Sequence, residues 1–149
     1  MDFIQKINED LKAAMKAKDQ VKLRTVRAVK AAILLAQTDG SGQQVDEAKG
    51  LKIINKLLKQ RKDSLKIYED QGREDLAAVE REEIKVLETY LPEQLGEEEI
   101  LRKLKEMIAT SGASSMKDMG RVMGMASKAF AGQADNSLVA KLVKQLLGA

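Results

Sequence analysis

The chain has 149 residues, room for one ordinary domain or two small ones, with 44% hydrophobic residues, 33% charged residues and a net charge of +3. That balance suits a soluble helical protein better than a disordered one. Cysteine and histidine are both absent, which excludes disulfides, thiol nucleophiles, Cys/His zinc sites and the commonest general base. Aromatic residues make up 3% and proline occurs once, too little for a β-sandwich or barrel. The core therefore rests on Leu, Ile, Val, Ala and seven Met.

Asp2 is placed to cap a first helix whose Ile4, Ile7, Leu11 and Met15 share one face. Asp19 is placed to cap a second, with Leu23, Val26, Val29 and Ile33 on one side and Ala28, Ala31, Ala32 and Leu35 on the other. That pattern predicts packing from two directions. The run Thr38-Asp39-Gly40-Ser41-Gly42 ends it in a loop. A third helix is expected from about Asp46 to Asp70, with Leu51, Ile54, Leu58, Leu65 and Tyr68 inward and Lys52, Lys56, Lys59 and Lys66 outward. Gly72 permits the turn into a fourth, from about Arg73 to Tyr90, with Leu76, Val79, Leu87 and Leu91 on one face. Arg61, Glu80 and Glu83 fall on apolar faces. A hairpin turning at Gln71-Gly72 sets Arg61 opposite the two glutamates, and one of them is expected to hold it.

Pro92 cannot continue a helix and disfavours helical geometry at Leu91, so the chain divides there, into 1–92 and 93–149. Beyond it, Glu97-Glu98-Glu99 suit the first turn of a fifth helix carrying Ile100, Leu101, Leu104 and Ile108. Thr110 to Ser114 closes it, with Ser114 read as a cap. A sixth helix turns Met119, Val122, Met123, Ala126 and Phe130 inward and stops at Gly132. A seventh, capped by Asp135, carries Leu138, Leu142, Val143, Leu146 and Leu147. The expected fold is all-α: an N-terminal helical domain with a long hairpin, and a small three-helix tail domain.

Charge is unevenly spread. Seven basic residues and one acid between Lys49 and Lys66 give +6, and twelve acids against three basic residues between Glu69 and Glu99 give −9. Adjoining blocks of opposite sign can face each other, and the lysine stripe reads first as a solvated helix face and second as a track for a phosphate backbone. From Gly112 onward five basic residues and two acids give +3. There Gly120 and Gly124, four apart on the sixth helix, each cost about 1 kcal/mol relative to alanine in a helix interior. Either a neighbouring helix or an external backbone must come close to them. Lys117, Arg121 and Lys128 flank them, and Lys141 and Lys144 of the last helix are placed to extend a basic surface. No Walker spacing, activated serine or metal loop is present. The expectation is a protein without catalytic residues, metal or cofactor. Lacking a signal peptide, a bilayer-length apolar run and cysteine, it is expected in the cytoplasm and off the membrane.

The segments Lys59-Gln60-Arg61-Lys62-Asp63-Ser64, Gly72-Arg73-Glu74-Asp75-Leu76 and Tyr90-Leu91-Pro92-Glu93-Gln94-Leu95 resemble the YqeY-like family. So do Asp118-Met119-Gly120-Arg121-Val122-Met123-Gly124 and Gly132-Gln133-Ala134-Asp135. The tail also resembles the C-terminal domain of the tRNA-holding component of the tRNA-dependent amidotransferase, with Gly96 where a serine cap is expected. The resemblance implies a helical domain joined to a tail that holds tRNA and performs no chemistry. The leading expectation is thus an accessory protein for tRNA or other RNA. The alternative is a protein-interaction adaptor using the charged hairpin. A third reading is a carbon–nitrogen ligase drawing its amide from glutamine, for which the chain supplies neither an ATP site nor a glutaminase centre.

Overall fold

A computed structural model describes residues 2–42 and 44–148; Met1, Gln43 and Ala149 lie outside the described residues. The fold is all-α. Its helices are α1 (Phe3–Ala17), α2 (Gln20–Gln37), α3 (Glu47–Asp70), α4 (Glu74–Glu88), α5 (Glu97–Ser111), α6 (Met119–Ala129) and α7 (Asn136–Gly148). One 3₁₀ turn, Met116–Asp118, precedes α6, and no strand occurs among the described residues. Contacts divide the chain into two compact units, Met1–Leu91 and Pro92–Ala149.

Short-range chemistry sets the helix starts. Asp2 and Gln5 form a reciprocal capping box on α1, and the Asp19 and Asp46 carboxylates accept from the N–H groups of Lys22 and Lys49. Gly72, at φ +68°, makes the turn between α3 and α4. Helix α4 stops at Glu88, ahead of the expected Tyr90. The N–H groups of Thr89, Tyr90 and Leu91 donate to carbonyls three residues back, so the final turn tightens before Pro92 is reached.

In the N-terminal unit α1 to α4 bury Ile7, Val26, Val29, Ile33, Ile54, Leu58, Ile84 and Leu87. Several expected core positions lie outside it. Met15 is 54% exposed and Ala14 takes its place; of the second side expected for α2, Leu35 is 73% exposed and Ala31 is also exposed, while Ala28 and Ala32 are half-buried and the helix meets α1, α3 and α4. On α4 the buried face is Ala77, Ile84 and Leu87, and Val79 is exposed. Gly50 is buried because α1 lays the Phe3 ring over it; an added Cβ would sit 2.5 Å from that ring. Tyr90 fastens α1 to the end of α4. Its hydroxyl donates to Asp10 Oδ2 at 2.5 Å, and Lys6 Nζ lies 5.7 Å from the ring centre. Burial first, then the hydrogen bond and charge of Asp10, hold the phenol well above its ordinary pKa. Tyr90→Phe leaves the half-buried Asp10 without this donor, and a loss of about 1–2 kcal/mol is expected in urea denaturation.

The C-terminal unit packs α5, α6 and α7 around Ile100, Leu104, Val122, Ala126, Phe130, Val139, Leu142 and Val143. Two of the motifs quoted above meet here. Gln94 Nε2 donates to the Gly132 carbonyl at 2.6 Å, and Leu95 N–H donates to the Gln133 carbonyl at 2.9 Å. These bonds bring the segment after Pro92 against the turn that follows α6, in which Gly132 stands at φ +73°.

Candidate nucleic-acid interface

The loop ahead of α6 is held by one carboxylate. Asp118 accepts from the N–H groups of Ser114 and Ser115, and the Ser115 hydroxyl oxygen accepts from Lys117 N–H. Ser115, not the expected Ser114, is the capping residue, because its side chain alone faces the freed N–H. The two N–H donors, aided by Arg121, keep the Asp118 carboxyl below its ordinary pKa. Arg121 Nη2 stands 3.3 Å from Asp118 Oδ1, so the same carboxylate steadies one cation of the outer face.

Helix α6 buries Val122 and Ala126 and turns Gly120, Arg121, Gly124 and Lys128 to solvent, with Lys117 exposed one turn earlier. The two glycines are open: a Cβ at Gly120 or at Gly124 would meet nothing within 4 Å. Close packing by a neighbouring helix is therefore not what these glycines serve. Gly120 also lies in the first turn of α6, so Gly124 alone carries the full interior cost. Lys117 and Lys128 make no ion pair among the described residues.

Lys141 and Lys144 are exposed on α7, where they border a shallow groove with Gln145 and Gly148. No α6 residue borders that groove. The α6 cations thus share one helix face, and the α7 lysines form their own.

A second charged cluster lies in the N-terminal unit. Glu83, its side chain 7% exposed, receives Arg24 Nε on Oε1 at 2.7 Å and has Arg61 Nε 2.7 Å from Oε2. The first contact is a directed hydrogen bond; the second is an ion pair without an aligned N–H. Glu80 Oε2, 3.9 Å from Arg61, is buried without a hydrogen bond. Sequence reasoning missed Arg24, whose position on α2, far from the hairpin in sequence, carries no local sign of its partner. Among the described residues no group of acids is arranged to hold a metal ion, and no helix is long and apolar enough to cross a membrane.

These features define an all-helical protein of two units whose carboxy-terminal unit displays a solvent-exposed basic helix face. The chain belongs to the Yqey-like protein family, whose model matches residues 4–147. Its relatives include altered inheritance of mitochondria protein 41, mitochondrial, from three fungi. The Vanderwaltozyma polyspora protein is 37% identical over 76% of this chain and 64% of its own length. The Meyerozyma guilliermondii protein is 45% identical over 57% and 44%, and the Pyrenophora tritici-repentis protein 31% identical over 98% and 81%. The chain thus spans less than two thirds of the first two. Neither the family description nor the relatives' names indicate catalysis. The expectation of a cytoplasmic protein is corrected: the relatives are named as mitochondrial. Absent cysteine fits any reducing compartment alike, so it does not separate one from another.

Proposed function

We propose that this protein holds RNA, tRNA foremost, and leaves chemistry on it to other proteins. One observation carries the reading: Gly120 and Gly124 open to solvent between Lys117, Arg121 and Lys128. A side-chain-free floor lets a sugar–phosphate backbone approach, and the rim supplies counter-charges. The likeness of the tail to a tRNA-holding domain supports the same reading. Phe130 is buried and both tyrosines lie in the other unit, so the tail has no stacking platform and binding is weak and sequence-tolerant.

Total tRNA titrated against the full chain tests this. With three cations on phosphate, raising salt fourfold is expected to weaken binding about 20- to 40-fold. Lys117/Arg121/Lys128→Ala is expected to lower affinity tenfold or more at low salt. Absence of binding at low salt, or an affinity untouched by the triple substitution, rejects the reading.

A further inference from the structure

We infer that the lysine ridge of α3 is a second, separate binding site for a nucleic-acid phosphate backbone. Lys52, Lys56, Lys59, Lys62 and Lys66 are all exposed along one long helix. From Lys52 to Lys66 the ridge covers about 21 Å, close to one cation per helical turn. Asp63 is the one acid within it.

Neutralisation within the chain does not account for the ridge. Among the described residues every arginine except Arg27 has an acidic partner. Not one of the five ridge lysines has. Five of the six acids of α4 are taken up by arginines, Glu88 excepted: Glu80 and Glu83 by Arg61, Glu82 and Glu83 by Arg24, Glu74 by Arg81, and Asp75 by Arg73. The positive and negative blocks that adjoin in sequence thus meet through Arg61 and leave the lysines unspent.

The composition of the ridge selects the partner. Protein interfaces are depleted in lysine and anchored by aromatic, methionine and arginine side chains. Membrane-surface helices set apolar side chains beside their cations. Here the single exposed large apolar residue on α3 is Ile67, at the far end. A line of lysines without anchors suits a regular array of phosphates, where each ammonium acts as a point charge. This site lies in the N-terminal unit and does not depend on the α6 face.

The test uses the full chain with Lys52/Lys56/Lys59/Lys66→Gln, checked for helix content by circular dichroism. The probes are a labelled 20-nucleotide single-stranded RNA and a 20-base-pair RNA duplex. The expected result is at least a tenfold loss of affinity for the better-bound probe. The slope of log affinity against log salt should shrink by about 3, at 0.7–0.9 per lost contact. Restoring the charge with the four lysines changed to arginine restores binding. Affinity within twofold of the parent for both probes overturns the inference, as does competition by polyglutamate as effective as by RNA, which would mark an acidic protein as the partner. Loss with the α3 variant but not the α6 triple sustains the ridge and rejects the α6 reading. The reverse sustains α6 and rejects the ridge.

Discussion

Glu83→Gln is expected to lower the stability of the N-terminal unit by about 2–3 kcal/mol. Removing one partner of a buried ion pair costs about 3–5 kcal/mol, because the remaining charge is stranded. Here two arginines are stranded together, but the Arg24 and Arg61 side chains are 44% and 28% exposed, so water recovers part of the loss. Glu80, 3.9 Å from Arg61, recovers more by moving in. Both tyrosines, Tyr68 and Tyr90, belong to this unit, so tyrosine fluorescence in a urea titration follows it alone. Glu80→Gln is expected to behave oppositely, with no loss and a gain of up to about 1 kcal/mol at neutral pH. Burial raises the Glu80 pKa above the ordinary 4.5, and the attraction of Arg61 only partly offsets that. The native state then binds this proton more tightly than the unfolded chain does. Its contribution to stability is therefore greatest at low pH and falls as pH rises from about 4.5 through the raised value. The difference between parent and Glu80→Gln isolates that slope. Parallel pH profiles for the parent and Glu80→Gln would show that burial does not raise the Glu80 pKa, and a neutral Glu83→Gln would show that Glu83 does not organise this cluster.

Gly124→Ala is expected to move stability and RNA affinity in opposite directions. An added methyl meets open space, and the backbone there has no positive φ, so the helix gains about 0.5–1 kcal/mol. Gly120→Ala, in the first turn, gains less. On an RNA backbone the same methyls stand where the sugar–phosphate chain approaches, and the double substitution is expected to reduce tRNA affinity about tenfold. Thermal denaturation and tRNA titration of one preparation read both quantities. A double variant that is more stable and binds as tightly as the parent removes these glycines from the interface. One that is less stable points to a structural role for them.

The Arg61 phase illustrates how far sequence reasoning reaches into a site. A guanidinium on an apolar stripe calls for a carboxylate, and the hairpin turn at Gly72 brings Glu80 and Glu83 to its level. Distances along α3 and α4 follow from counting residues. Nothing in that count brings in Arg24, which reaches Glu83 from α2 with a sequence separation of 59. The α6 cations share a face for the same local reason, since their spacing is helical. Whether the glycines between them are packed or open depends on where α5 and α7 run.

By itself the sequence determined the seven α-helices among the described residues, the caps Asp2 and Asp19, the turn at Gly72 and membership of the family. Each of these rests on side chains and backbone groups a few residues apart. The tertiary structure alone decided that Ala77 rather than Val79 faces the core, that Leu35 faces out, that Glu83 answers two arginines, and that Gly120 and Gly124 lie bare. Helical period says which residues share a face. Which face acquires a neighbour is settled by contacts between segments far apart in the chain, where burial and desolvation are summed.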